Sequence, residues 1–311
     1  MEKTKTSKPE TNPVAKPETK KAKVELKQIS WFDDRFYKVR YDNDQKVEVE
    51  DYLPSVTTKL GALSKPMLTK WYGDLGNREA KAQMMEKADR GTRIHWAWET
   101  FCGGGVVIYQ PDRTPLFDDE EFAELVKRYN NHYFVLRNQD EMWNFLKLSK
   151  FHKAIKPYFT LNEHIVYDLK NRDAGTMDNL FGIEAGEYEI NGSKAVKLER
   201  GLYLFDAKTG NYVGNEAKMQ LSAYWGCLNF MIRNGLIELP DTSEDNEIKG
   251  AIIGHTSSQT RTGIEGFSAI VITLDEIQDY YRRYRNISAV WDSEFGSAKP
   301  KIRQIEGYVA L

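Results

Sequence analysis

The sequence predicts an α/β protein in which a mainly helical N-terminal part feeds a β-sheet flanked by helices. Three observations carry this expectation. From about residue 54 to 157 most of the chain reads as helix, with Gly103-Gly104-Gly105 as the main interruption. Beyond that point short runs rich in β-branched and aromatic residues take over, separated by Gly and Asn. Two stretches among those runs, 214–234 and 274–295, return to a helical pattern.

Residues 1–28 hold eight Lys, four Glu and three Pro with few large apolar side chains, so they read as a disordered Lys/Pro-rich tail, either solubilising or a tether to a polyanion. Residues 29–157 form the N-terminal part. Aromatic and polar residues alternate from Trp31 to Val49 around Asp42-Asn43-Asp44, as in a hairpin. Pro54-Ser55 opens a helical region that runs to about Cys102 and ends at Gly103-Gly104-Gly105. Helices are expected at about 117–137 and 140–157. The remaining part, 158–311, should hold the sheet, with strands at 165–167, 177–183, 187–190, 198–206, 249–254 and 268–273 and the two helices already named.

Bulk properties narrow the field. Apolar residues make up 41% and charged residues 29%, ordinary for a globular chain with a sizeable core. No apolar run approaches the roughly 20 residues of a membrane-spanning helix, and no apolar signal core opens the chain. The expectation is a protein of the cytoplasm (a host's, if phage-encoded) without a membrane partner. Cys102 and Cys227 allow one bridge at most and cannot supply four thiolates to an iron–sulfur cluster. The net charge is −2; the tail carries +4, so the rest carries −6, and any polyanion must be held by local patches.

Four short segments carry chemistry. In Gly91-Thr-Arg-Ile-His95-Trp-Ala-Trp-Glu99, His95 and Glu99 are four apart and share a helix face, where they are either structural or able to bind a divalent metal. In Gly175-Thr-Met-Asp178 a Gly–Thr turn leads into a strand that presents Asp178. In Leu204-Phe-Asp206-Ala207-Lys208-Thr-Gly210 the strand period of two puts Asp206 and Lys208 on one side, as an ion pair or as parts of a metal site. In Gln220-Leu-Ser-Ala-Tyr224 the Gln and Tyr share a helix face. Two carboxylates and an ammonium are what phosphodiester hydrolysis needs: oxygen ligands for Mg²⁺, a metal-activated water, and a cation for the developing charge.

The order Gly-x-x-x-His-x-x-x-Glu, Gly-Thr-x-Asp, Asp-x-Lys-Thr, Gln-x-x-x-Tyr resembles the RecB-like branch of the PD-(D/E)xK nuclease superfamily. The segment Tyr52-Leu-Pro-Ser-Val-Thr-Thr-Lys-Leu60 looks like the one that opens the mitochondrial genome maintenance exonuclease and many phage nucleases. The resemblance covers roughly residues 30–295. It implies a restriction-endonuclease-like mixed β-sheet core flanked by helices, and a metal-dependent DNA nuclease, an exonuclease acting on DNA ends or single strands. It implies Asp178, Asp206 and Lys208 as catalytic residues, with Mg²⁺ (or Mn²⁺ in its place) held by His95, Asp178, Asp206 and the backbone carbonyl of Ala207. It gives Gln220 and Tyr224 to the DNA backbone or to aligning Lys208, and leaves Glu99 and Glu163 in supporting roles. Iron–sulfur members of the branch carry cysteines near the first motif and the C-terminus; here those positions lack them, so no cluster is expected.

For holding DNA, Arg93 and Arg90 flank the first motif and are expected near phosphates. Lys147, Lys150, Lys153 and Lys156, with Trp143, Phe145 and Phe151 among them, read either as a single-strand groove or as a solvated helix face. Arg282-Arg283-Tyr284-Arg285 has the same two readings. A recombinase, a helicase or a single-strand-binding protein fits as a working partner, and a catalytically silent DNA-binding module of the same fold is the alternative function.

Overall fold

The computed structural model describes residues 25–31, 34–42, 48–113, 115–191, 194–239, 247–256 and 267–296. Strands β1 (Glu25–Trp31), β2 (Asp34–Asp42) and β3 (Glu48–Pro54) form an antiparallel meander. Helices α1 (Val56–Leu60), α2 (Pro66–Leu75) and α3 (Asn77–Cys102) follow. Next come β4 (Val106–Tyr109), α4 (Asp119–Arg128), β5 (Tyr133–Leu136) and α5 (Gln139–Ile155). The second part contains β6 (Phe159–Asp168), β7 (Asp173–Ile183), β8 (Gly186–Asn191), β9 (Lys194–Leu198), β10 (Gly201–Lys208), α6 (Asn215–Arg233), β11 (Ile248–Thr256), β12 (Phe267–Thr273) and α7 (Leu274–Phe295).

Five strands make the central sheet in the order β12-β11-β10-β7-β6. Only β10 and β11 pair in parallel, and α6 is the crossover that parallel pairing demands. The chain is therefore mixed α/β, with seven helices among the described residues. Leu202 and Leu204 of β10 point into one apolar cluster with Leu221, Leu228 and Ile277, from α6 and α7. Tyr203, Phe205 and Ala207 point into another with Ile94, Trp98, Leu148 and Phe151, from α3 and α5. Strand β10 is buried on both faces, which explains its apolar run. The meander extends the first cluster through Tyr37, Val39 and Leu53 and is docked by a bridge between Ser55 and Ala174.

Local chemistry sets the element ends. Ser55 caps α1 by accepting from the Thr58 amide, and capping boxes start α4 (Asp118, Glu121) and α7 (Thr273, Glu276). Gly103 closes α3 where expected.

Several expectations need correction. Strand β1 takes in residues 25–28 of the expected tail, because they pair with β2; residues 1–24 lie outside the described residues. The N-terminal part opens with three strands rather than a hairpin and helices alone, and the turn expected at Asp42-Asn43-Asp44 lies partly outside the described residues. The expected helix 117–137 ends at Arg128. Asn130 and Asn131 take left-handed backbone (φ 52 and 60), which Asn tolerates, and Tyr133–Leu136 then pairs with β4. The expected strand 198–206 is divided between β9 and β10. Gly175 and Thr176 lie inside β7, not in a turn before it. No helix of the described residues is long and apolar enough to cross a membrane.

Candidate functional site

The antiparallel pairing of β7 with β10 runs from Ile183↔Gly201 to Asn179↔Phe205 and stops there. The next two residues in register would be Asp178 and Asp206. On its other side β7 pairs with β6 at Asn162↔Asn179 and at His164↔Met177, skipping Glu163 opposite Asp178. Glu163, Asp178 and Asp206 thus fall in one row across three neighbouring strands. Like charges placed opposite one another in a sheet repel, and the ladder opens on both sides of Asp178. Glu163 also sits in left-handed backbone, φ 42, a conformation that costs an L-residue about 1–2 kcal/mol.

Helix α3 brings His95 to this row. Its Nδ1 lies 3.4 Å from Asp178 Oδ2, which also accepts a 2.8 Å hydrogen bond from the Ala207 amide. One ligand atom each from His95, Glu163 and Asp178 lie within 4.8 Å of one another. A hydrogen-bond chain holds their three elements together. Trp98 Nε1 donates to Asn179 Oδ1 at 2.6 Å, and Asn179 Nδ2 donates to Asn162 Oδ1 at 2.6 Å. Trp98 is one turn from His95, and Asn179 and Asn162 adjoin Asp178 and Glu163, so the bonds tie together the backbones that carry the three candidate ligands.

Asp206 is buried and tied to Lys208, whose Nζ lies 2.9 Å from Oδ1 and 2.7 Å from Oδ2. The Oδ2 contact is an ion pair without hydrogen-bond geometry, so that oxygen has no hydrogen-bond donor. Lys208 also donates to Gln220 Oε1 at 3.3 Å, and Gln220 Nε2 donates to the Tyr224 hydroxyl at 3.0 Å. The Tyr224 ring lies against Gly175, where an added Cβ would come within 2.2 Å of a ring carbon. The Gly of the second motif is therefore the space that the Tyr of the fourth requires.

The electrostatics match this crowding. Burial, then the charges of Asp178, Glu99 and Asp206, push the Glu163 carboxyl up to about 8. Burial raises the Asp206 carboxyl, Lys208 opposes the rise and Asp178 adds to it. Burial works to lower the Lys208 ammonium, but Asp206 and Asp178 outweigh it and hold it above the usual Lys range. Acids outnumber cations here. The donor set, carboxylate oxygens with one imidazole, fits a divalent cation that accepts oxygen ligands, and the imidazole suits Mn²⁺ as well as Mg²⁺.

Of the expected site residues, His95, Asp178, Asp206, Ala207 and Lys208 converge. Glu99 is exposed on α3 and acts on Glu163 through its charge. Glu163, expected only to support, belongs to the ligand cluster itself. Its polar neighbours Asn162 and His164 were the signal that this stretch is not plain core strand. Sequence reasoning also missed the linking roles of Trp98, Asn179 and Asn162, which no local pattern announces.

Contacts bear on the remaining expectations. Tyr224 is buried, with its hydroxyl on Gln220, an arrangement that matches the aligning alternative. Arg93 points to α5, where its Nε donates to the buried carboxylate of Glu141 at 2.8 Å, so it is engaged away from the acidic row. Phe145 and Phe151 are core residues, which removes the stacking surface expected along the Lys stripe; Trp143 remains exposed. Tyr284 is buried and Arg285 pairs with Asp173, so these two serve the interior, while Arg282 and Arg283 stay on the surface beside Asp279. A cavity of about 350 Å³ lined by Asp168, Asn171, Trp225, Arg233 and Tyr281 lies apart from the acidic row, none of whose residues lines it.

No family model matches the chain, and no curated protein matches it in sequence.

Proposed function

We propose that the chain is a metal-dependent DNA nuclease of the restriction-endonuclease-like fold, acting on DNA ends or single strands. The observation that carries this reading is the row Glu163–Asp178–Asp206 on three adjacent strands, with His95 above it and Lys208 at its end. Order and spacing of the motifs support a place in the RecB-like branch of the PD-(D/E)xK superfamily.

His95, Glu163 and Asp178 are the residues that would hold Mg²⁺ or Mn²⁺, with Asp206 Oδ2 able to join them. When bound, the cation supplies Lewis acidity toward a phosphoryl oxygen and toward water. Lys208, fixed by Asp206 and Gln220, presents an ammonium to the charge that builds as the P–O bond breaks. Tyr224 and Gly175 keep Gln220, and through it Lys208, in place. The Ala207 amide orients Asp178, leaving its other oxygen for the cation.

The test is incubation with end-labelled single-stranded, blunt double-stranded and circular DNA in Mg²⁺, Mn²⁺ or EDTA. The reading expects shortening of linear substrates in either metal and none in EDTA. Cutting that persists in EDTA, or no cutting in any metal, would refute it.

A further inference from the structure

The meander contributes one side chain to this region that no motif marks. Arg35 opens the outward run of β2, and its backbone is clamped on both sides. Its amide donates to Thr58 Oγ1 at 2.9 Å. Its carbonyl accepts from the Ser55 amide at 2.8 Å and from Thr58 Oγ1 at 3.1 Å. Ser55 and Thr58 belong to the Pro-Ser-Val-Thr-Thr-Lys segment and are buried, so that segment holds a single strand residue rigidly.

The direction of the Arg35 side chain follows from register. Tyr37, two residues on, shares the face of β2 that carries Arg35. Tyr37 is fully buried, and its hydroxyl is 2.9 Å from Thr176 Oγ1. Thr176 shares the face of β7 that carries Asp178. Arg35 and Tyr37 therefore lie over the same side of the sheet as the acidic row. The charge of Arg35 is felt at the Tyr37 hydroxyl on that side, where it opposes the rise in pKa that burial causes.

Two other cations that the motifs supply are paired. Lys208 is on Asp206, and Arg93 is on Glu141. Arg35 is exposed and forms no salt bridge among the described residues, its side chain resting beside the neutral Tyr37 hydroxyl. A polyanion must approach an acidic row, and a rigidly mounted guanidinium at its edge is suited to a phosphate oxygen.

We propose that Arg35 is a substrate-binding residue, contacting a backbone phosphate of DNA next to the one at the acidic row, so that the N-terminal meander is one wall of the DNA site. This rests on the nuclease reading and assigns a residue the motifs do not. The competing role is purely internal: Arg35 offsets the charge of Glu163 and meets no substrate.

The experiment compares wild type, Arg35→Gln and Arg35→Lys. Binding of a fluorescent single-stranded oligodeoxynucleotide is measured in Ca²⁺ over a range of salt, cleavage kinetics in Mg²⁺, and melting temperature alongside. For Arg35→Gln the expectation is a Kd and KM raised about tenfold, kcat within about twofold, and unchanged melting. Its plot of log affinity against log salt should flatten by about 0.7, the value of one phosphate contact to a single strand. Arg35→Lys should keep the wild-type slope. Wild-type KM and slope in Arg35→Gln, with wild type still cutting, overturns the assignment of Arg35 and leaves the nuclease reading standing. A lowered melting temperature with the Lys variant equally impaired overturns it in favour of the internal role. Wild type that neither binds nor cuts overturns both.

Discussion

Strand β7 carries two charged clusters, one at Asp173 and one at Asp178, about 17 Å apart along an extended strand. At Asp173 the charges are matched. Lys59, fully buried, lies 2.7 Å from Asp173 and 3.0 Å from Asp292, and Arg285 lies 2.9 Å from the other oxygen of Asp173. Tyr284 donates to Asp173 at 2.9 Å, and Lys59 donates to Ser288 at 3.0 Å. Two anions meet two cations, with hydrogen bonds for the rest; α1, β7 and α7 are tied together. At Asp178 the acids Glu163, Asp178, Asp206 and nearby Glu99 face one ammonium and one imidazole, with the Arg35 guanidinium only at the edge. The strand ladder breaks there, one backbone is strained, and one buried carboxylate oxygen lacks a donor. Buried charge is expensive unless paired. A cluster that balances itself serves the fold, and one left short of cations is poised for something from outside.

Removing charge should separate the two. The largest effect is expected at the unbalanced cluster and mainly on activity: Asp178→Asn, Asp206→Asn and Lys208→Ala should each lower the cleavage rate by about 10³-fold or more, while denaturant midpoints hold or rise for the two Asn variants and fall for Lys208→Ala, which strands buried Asp206. A Lys208→Ala variant that cuts at near wild-type rate would erase the distinction. At the balanced cluster the reverse is expected. Lys59→Met strands Asp173 and Asp292 and should cost about 3–5 kcal/mol in denaturant melts, with metal-dependent cutting retained by whatever remains folded. Gly175→Ala probes the link between the site and its support. It should cost about 1–3 kcal/mol from overpacking against Tyr224 and also slow cutting, since Tyr224 steadies Gln220 and Lys208; loss of stability with untouched turnover would show that this chain of contacts does not serve Lys208.

The smallest effect is one of pH. Glu163 titrates near 4.5 when unfolded and at about 8 when folded. Between those values the folded chain keeps a proton that the unfolded chain has released, so stability without metal should fall as pH rises through this window. Glu163→Gln should flatten that part of the profile, and Mn²⁺ should bind wild type more tightly toward pH 8. Identical pH profiles for wild type and variant would place Glu163 outside the cluster's electrostatics.

Much of this was readable beforehand. Helices α5, α6 and α7 fell near their expected bounds because apolar spacing is local, whereas the helical region expected from Pro54 to Cys102 is divided into α1, α2 and α3. Asp178, Asp206 and Lys208 were legible because the strand period puts 206 and 208 on one side and the motif order pairs them with Asp178. The division of 117–137 into helix and strand was not legible, since two Asn residues of ordinary composition had to adopt left-handed backbone. The pairing of Arg93 was not legible because its partner, Glu141, is 48 residues away, and the choice between the two roles of Tyr224 was not, because nothing local announces that its ring fills the space over Gly175.

The sequence by itself determined which chemical groups are present, in what order, and on which local face each lies, because helix and strand periods act over a few residues. Only the tertiary structure decided that Glu163 stands in the row, that Arg35 looks onto it, and that Arg93 does not. Those outcomes depend on register between strands and on long-range charge pairing. Neither is encoded in any short window of residues.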